Sequence, residues 1–184
     1  MALLERAARR LSRMAKKMTQ GWMGAVLYAC LGILLAFIIN QLLGFALSTD
    51  LPVVAVVSAS MQHDNAELTY YHWLEENMNY SREYISSWAV PTGFFVGDMP
   101  IVCGSDEYKV GDVIVYSVPG QDFPIIHRII KINPDGTYQT KGDNNLQQLP
   151  YELSVKKEQI HGKVIFIIPK LGYFKVILNK IFGV

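Results

Sequence analysis

The longest apolar stretch of this chain lies near its beginning. No residue from Met18 to Thr49 is charged, and the segment from Trp22 to Ile39 contains nothing more polar than glycine or tyrosine. At about 1.5 Å of rise per residue, an α-helix over this stretch is long enough to cross a bilayer. The apolar core of a cleaved secretory signal is shorter, about 7–15 residues. The pattern therefore favours a retained transmembrane anchor over residues 18–49.

The segment before this stretch is strongly basic. Residues 1–17 carry six Lys and Arg side chains and a single acid, Glu5. Lys and Arg are enriched on the cytoplasmic side of a span, so the N-terminus is expected in the cytoplasm and the chain after Asp50 on the other side. An amphipathic helix lying on anionic lipid is the alternative for residues 1–17, and it predicts the same orientation.

Strand-like runs dominate the remainder of the chain and predict a mainly β domain over residues 50–184. They are rich in β-branched residues and are separated by turn signals. The runs are Val53–Val57, Pro100–Val102, Val113–Val118, Ile125–Ile132, Tyr138–Lys141 and Val164–Ile168. Asn-Pro-Asp-Gly at 133–136 predicts a tight hairpin, because Asp-Gly tolerates the positive φ angles that such turns need.

Two segments depart from the strand pattern. In residues 64–90, Tyr80, Tyr84 and Trp88 are spaced as i, i+4 and i+8, which predicts a helical insertion with an aromatic face. That face either packs on the sheet or contacts a membrane or a partner. Residues 174–184 predict a short amphipathic helix, too short to span a bilayer, that lies at an interface or docks on the core.

Composition narrows the functional classes. Lys and Arg number 17 against 16 Asp and Glu, so no basic excess indicates a nucleic-acid partner. Hydrophobic residues make up 51% and charged residues 18%, with a mean hydropathy of +0.18, which excludes intrinsic disorder. The four His residues lack metal-ligand spacing and no phosphate-binding glycine loop is present, so neither a metal nor a cofactor is expected.

Candidate hydrolytic residues occur in the order serine, histidine, acid. Ser58 and Ser60 follow the first predicted strand, His127 lies within the apolar run 125–130, and Asp143 belongs to Lys-Gly-Asp-Asn-Asn at 141–145. Taken singly, each is typical of a turn residue or of a hydrogen-bonded core residue.

The ordered combination of these blocks resembles the signal peptidase I family, in its archaeal and endoplasmic-reticulum branch. The blocks are Ser-Ala-Ser-Met at 58–61, Gly-Asp-Val-Ile-Val-Tyr at 111–116, His-Arg at 127–128, Lys-Gly-Asp-Asn-Asn at 141–145 and a closing strand at 160–165. The bacterial branch has Lys where this chain has His127. The resemblance implies a signal-peptidase-like antiparallel β domain with an N-terminal transmembrane helix. It also implies a serine endopeptidase that cleaves signal peptides from secretory preproteins.

The resemblance also implies roles for individual residues. Ser60 is expected to be the nucleophile, His127 the general base, and Asp143 the acid that orients the imidazole. The Ser60 backbone N–H and the Ser58 hydroxyl are expected to form the oxyanion hole. A Ser-Lys arrangement through Lys131 is an alternative to the use of His127.

Two positions depart from the family pattern. His63 stands where the family's Ser-x-Ser-Met-x-Pro block has proline. Leu149 stands where the family usually has a second Asp, six residues after the first. Glu152 is therefore an alternative acid for the orientation of His127.

The implied partners are signal peptides, the lipid bilayer and other subunits of the secretory machinery. The expected location is the plasma membrane or an endoplasmic-reticulum-type membrane, crossed once. A catalytically inactive accessory subunit of a secretory complex is the alternative function. An anchored protease acting on another class of precursor is a third.

Overall fold

The computed structural model describes residues 21–171, and the contacts within it define two compact units with their boundary between Leu43 and Gly44. The basic segment at 1–17 and the C-terminal helix expected at 174–184 lie outside the described residues.

Among the described residues, a single long helix, α1, makes up the first unit. It spans Gly21–Ala46, within the anchor predicted over residues 18–49, and Gly24 is its only buried residue. An 18-residue window within its 26 residues reaches a mean hydropathy of 2.4, so the helix is long and apolar enough to cross a membrane by length and composition. A helix that is apolar on every side has no polar face to present to water, and hydrocarbon suits its surface.

The second unit is built on one five-stranded sheet. The strands are β1 (Met99–Cys103), β2 (Val113–Tyr116), β3 (Ile125–Ile132), β4 (Tyr138–Lys141) and β5 (Ile160–Ile168). Their order across the sheet is β1-β5-β2-β3-β4, and every neighbouring pair is antiparallel. The prediction of a mainly β domain with antiparallel strands is confirmed.

The prediction of a regular strand over Val53–Val57 is wrong. Within Val53–Val57 only Val53 forms a bridge, to Ile101, although Val54 and Val56 donate to the carbonyls of Pro100 and Asp98. The chain then turns at Ser58, so no continuous ladder develops. This extended segment instead lines an open groove along one side.

The predicted β3–β4 hairpin is confirmed. Gly136 adopts a φ of 83°, as its place in the turn requires. The Asn133 N–H donates to the Thr137 carbonyl at 2.8 Å and closes the hairpin.

Both faces of the sheet are covered, because alternate residues of β2 point to opposite sides. Val113 and Val115 pack with Val56, Met61 and Phe94 on one face. Ile114 and Tyr116 pack with a second cluster on the other face, which includes Tyr108, Ile129, Tyr138 and Val155.

The predicted insertion is helical and packs on the sheet. It contains a π-helical turn over Glu67–His72, helix α2 (Trp73–Met78) and helix α3 (Arg82–Ser86). Tyr80 and Trp88 flank α3 rather than lying within it, yet the rings of Tyr80, Tyr84 and Trp88 still pack edge to face at 5.3–5.6 Å. Trp88, Tyr70, Leu74 and Ile85 form a core cluster with Ile130 of β3. Most of the aromatic surface is therefore buried within the domain.

Candidate active site

An open groove of about 360 Å³ runs between the extended segment at 54–58 and the start of β3 at 123–127. Its remaining lining residues are Ser60, Met61, Phe94, Gln121, Asn145, Leu149 and Tyr151. The groove is mainly apolar, and Ser60 and His127 both reach it. A concave apolar surface with a few polar groups is typical of a ligand site.

A tight turn presents Ser60 to this groove. The Gln62 N–H donates to the Ala59 carbonyl at 3.1 Å, which closes the turn around Ser60. Met61, at 1% exposure, lies in the core, so it fixes one side of the turn and leaves Ser60 half-buried at the groove. The Ser60 hydroxyl lies 3.2 Å from the Ser58 hydroxyl. Both predicted serines therefore share one site.

The carboxylate partner of His127 is Glu152. The buried His127 ring donates from Nδ1 to Oε1 of Glu152, which is fully buried. The second oxygen of Glu152 accepts the Leu149 N–H at 2.6 Å. Pro150 begins the 3-10 turn Pro150–Glu152, and an acid at the third helical position commonly reaches back to the preceding backbone N–H in this way. Both oxygens of the carboxylate are thus held in place.

Gly142 allows the His127 ring and the turn that carries Ser60 to lie side by side. A Cβ atom at this position would lie 2.8 Å from His127 Nε2 and 2.9 Å from the Ser60 carbonyl oxygen. Only a residue without a side chain fits there, so the free ring nitrogen and the Ser60 backbone both lie against this glycine. The Ser60 hydroxyl itself is hydrogen-bonded to Ser58 rather than to His127 in this structure. Catalytic hydrogen bonds are often loose before substrate binds.

Asp143, which the sequence favoured as the acid on His127, has other partners in the structure. Its carboxylate accepts from Arg128 Nε at 3.0 Å and Nη2 at 2.7 Å, and from His63 Nε2 at 2.9 Å. Successive residues of a strand point to opposite faces, so Arg128 and His127 of β3 lie on opposite sides of the sheet. Asp143 binds on the Arg128 side and Glu152 on the His127 side.

Asp143 is a buried, ionised carboxylate. Burial by itself acts to raise the pKa of its carboxyl group, but the charge of Arg128 and the hydrogen bonds from His63 and Arg128 outweigh that effect. The pKa of Asp143 is consequently lowered from its usual value. The guanidinium of Arg128 is fully buried and also donates to the carbonyls of Ala89, Val90 and Gly111. The Arg128 side chain thereby joins the end of the insertion to the sheet.

The sequence did not predict that two cationic side chains, those of Arg128 and Lys141, are buried beside the site. Arg128 interrupts the apolar run at 125–130, and a charged residue in an otherwise apolar strand is itself a signal of a buried ion pair. Lys141 donates from Nζ to the carbonyls of Thr69 at 2.7 Å and Gly142 at 3.1 Å, and it lies over the Trp73 ring. Burial lowers the pKa of Lys141 to about 8. No comparable signal in the sequence marks Lys141.

Lys131, the alternative base, lies outside this arrangement. It is exposed on β3, which has a β-bulge between Ile129 and Lys131, and it does not line the groove. A bulge adds one residue to a strand and so changes which later residues share a face. Within residues 21–171, no group of three or more His, Cys, Asp or Glu side chains is placed to hold a metal ion.

The relatives that match this chain include three proteins named as signal peptidase complex catalytic subunits. The protein of Sclerotinia sclerotiorum is 37% identical over 84 residues, which cover 41% of this chain and 48% of the relative. That of Chaetomium globosum is 36% identical over 83 residues, or 40% of this chain and 48% of the relative. That of Scheffersomyces stipitis is 28% identical over 155 residues, or 79% of this chain and 76% of the relative. No protein-family model matches the chain.

The match thus spans about half the length of two of these relatives and three quarters of the third. The resemblance that the ordered sequence blocks indicated is confirmed by these relatives.

Proposed function

Because this chain is related to the signal peptidase I family, in its endoplasmic-reticulum-type branch, we propose that it is a membrane-anchored serine endopeptidase that removes signal peptides from secretory preproteins. One observation carries the proposal. The ring of His127 is held at Nδ1 by the buried carboxylate of Glu152, and its Nε2 lies against Gly142 beside the Ser60 turn, in an open groove.

The proposed reaction is acyl transfer through Ser60. A serine hydroxyl is too weak an acid to react alone, and an imidazole can accept its proton near neutral pH. Ser60 Oγ attacks the scissile carbonyl as its proton passes to His127 Nε2. The C–N bond then breaks, the same proton passes to the leaving amine, and water hydrolyses the resulting ester by the same route. Glu152 keeps the proton on Nδ1 and stabilises the imidazolium that forms.

The proposed oxyanion hole consists of the Ser60 backbone N–H and the Ser58 hydroxyl. The distance of 3.2 Å between the two hydroxyl oxygens supports this pairing, because a donor close to the nucleophile is also close to the carbonyl group that the nucleophile attacks. Loss of one such donor typically lowers kcat by about 10²–10³-fold.

The proposed substrate is an extended peptide lying along the groove. On one side, the segment at 54–57 is hydrogen-bonded to β1 and to the residues just before β1. Its other side borders the groove, which suits the addition of a peptide strand there. Small side chains at the first and third positions before the cut follow from the family resemblance. The relatives are named as catalytic subunits of a complex, so other subunits of such a complex are the proposed protein partners.

The test is cleavage of a preprotein reporter with an Ala-x-Ala site by the full chain in detergent or liposomes. Ser60→Ala and His127→Ala should lower kcat by at least about 10³-fold, because each removes a group that acts in the transition state. Ser86→Ala and His72→Ala are matched controls, since both residues are exposed on the insertion, and both variants should cleave normally.

Two results would contradict the proposal. The first is a Ser60→Ala variant that cleaves as well as the wild type. The second is a wild-type protein that does not cleave under conditions in which a known signal peptidase does. The second result would favour the inactive accessory subunit, or an enzyme that works only together with a partner subunit.

A further inference from the structure

The nucleophile turn at 59–63 is joined to the loop at 142–144 by a set of short contacts. The Asn144 N–H donates to the Ser60 carbonyl at 2.8 Å, and the Asn144 side-chain amide donates to the Ala59 carbonyl at 3.1 Å. The Asp143 N–H approaches the Met61 sulfur at 3.5 Å. These contacts hold the first half of the turn, on either side of Ser60.

His63 provides the contact at the other end of the turn. Its Nε2 donates to Asp143 Oδ2 at 2.9 Å, and its side chain is 11% exposed. The His63 ring packs on Tyr70 of the insertion, with 4.8 Å between the ring centroids. On another side it lies so close to Gly93 that a Cβ atom there would be 2.7 Å from the ring. The ring is thus held by packing as well as by its hydrogen bond.

The acceptor of this bond is itself immobile. Asp143 is 2% exposed and receives hydrogen bonds from two nitrogens of Arg128, which is fully buried in β3 directly after His127. A side-chain path therefore runs from the Ser60 turn, through His63, Asp143 and Arg128, to the strand that carries the general base. This path is independent of Glu152, which holds the imidazole from the opposite face of the sheet.

We propose that His63 is a positioning residue for the reaction, and that its hydrogen bond to Asp143 sets the Ser60 turn at its working distance from His127. The inference rests on the proposed peptidase function. The family pattern has proline at this place, and proline stiffens a turn locally by fixing its own φ angle. In this chain a tertiary tether to a buried ion pair performs that task. The insertion, through Tyr70, supplies the surface on which the tether packs.

The test compares two amides of different length at position 63. In His63→Gln the side-chain nitrogen reaches about as far as Nε2 of histidine, so the bond to Asp143 is retained. In His63→Asn the nitrogen falls short, while the side chain stays polar and fits the same space. We expect His63→Asn to lower kcat for the preprotein reporter by about 10–100-fold, because small misplacements of reacting groups cost about that much. KM should change by less than about 2-fold, because His63 does not line the groove.

His63→Gln should recover kcat to within about 3-fold of the wild type. His72→Asn, on the exposed surface of the insertion, is the control for the substitution itself and should be neutral. The thermal midpoint of each full-length variant in detergent shows whether both amides leave the fold intact. If His63 had a purely structural role, its substitution would change the thermal midpoint. Asn and Gln variants of equal stability would then have equal kcat.

The two proposals fail in different ways. If the wild type cleaves and the Asn and Gln variants have equal kcat, the positioning role of His63 is wrong and the peptidase function stands. If the Asn variant loses activity only in proportion to a lost folded fraction, the positioning role is wrong as well. If the wild type does not cleave at all, both proposals fall together.

Discussion

Glu152 and Asp143 show how strongly its immediate surroundings determine what a buried carboxylate can do. Both are buried and both oxygens of each are engaged, yet Glu152 faces the imidazole of His127, whereas Asp143 faces the guanidinium of Arg128 and the imidazole of His63. The pair with Arg128 is ionic and links parts of the domain. The pair with His127 leaves Nε2 of the ring available at the groove. Only the second arrangement suits the orientation of a general base.

Glu152→Gln should lower kcat by about 10³–10⁴-fold, as the corresponding acid-to-amide change does in catalytic triads. The Leu149 N–H needs an acceptor, so the amide oxygen of glutamine would turn toward it. The amide NH₂ would then face Nδ1, and the ring proton would move to Nε2, where it blocks proton transfer from Ser60. The measurement is kcat on the preprotein reporter.

Glu158→Gln is the matched control, because Glu158 is exposed in the 3-10 turn Lys157–Gln159. That variant should cleave like the wild type. A Glu152→Gln variant with full activity would show that another carboxylate orients the base, and Asp143→Asn would then be the variant to compare.

At the scale of elements, the helical insertion is a part of the domain core. Tyr70, Leu74, Ile85 and Trp88 pack with Ile130 of β3, and Lys141 of β4 donates to the Thr69 carbonyl. The Tyr70 hydroxyl is buried and has no hydrogen-bond partner among residues 21–171, whereas the Tyr80 hydroxyl donates to the Ile130 carbonyl at 2.9 Å. Removal of the hydroxyl group should therefore change the free energy of unfolding differently at the two tyrosines.

Tyr80→Phe should lower the free energy of unfolding by about 0.5–1.5 kcal/mol, because it leaves a carbonyl without its donor. Tyr70→Phe should leave that free energy unchanged or raise it, because no hydrogen bond is lost and less polar surface is buried. Denaturant unfolding of the full chain in detergent measures both. Equal destabilisation by the two substitutions would contradict this account of the insertion.

At the scale of the whole molecule, one apolar helix precedes one β domain, and the Ser60 turn begins at residue 59, only 13 residues after that helix ends at Ala46. The 26 residues of α1 amount to about 39 Å of helix, more than the hydrocarbon core of a bilayer. If the protein and its preprotein substrate are attached to the same membrane, the effective concentration of the substrate at the protein is raised. The basic segment at 1–17 sets the expected direction of insertion.

In sealed microsomes, a protease added outside should remove a tag placed at the N-terminus and leave the β domain intact. The reason is the six basic side chains before the span, which favour the cytoplasmic side. Permeabilising the vesicles with detergent should expose the β domain and serves as the control. Cleavage of the β domain in sealed vesicles, with the tag protected, would reverse the proposed orientation.

The elements themselves were largely predictable because their signals are local. The apolar run marked α1, alternation and β-branched residues marked four of the strands closely, and Asp-Gly marked the hairpin between β3 and β4. Val53–Val57 failed because strand composition does not reveal whether a neighbouring strand completes the ladder. The insertion was correctly expected to be helical, but Tyr80 and Trp88 lie beyond the ends of α3.

The sequence by itself determined the apolar span, the mainly β domain, and the serine and histidine that share the groove, because periodicity and short ordered blocks carry that information. Only the tertiary structure decided which acid faces which base. Glu152 meets His127 and Asp143 meets Arg128 because neighbouring residues of β3 point to opposite faces of the sheet. Separation along the chain says nothing about that choice. The same holds for His63, whose partner lies 80 residues away and is reached only through the fold.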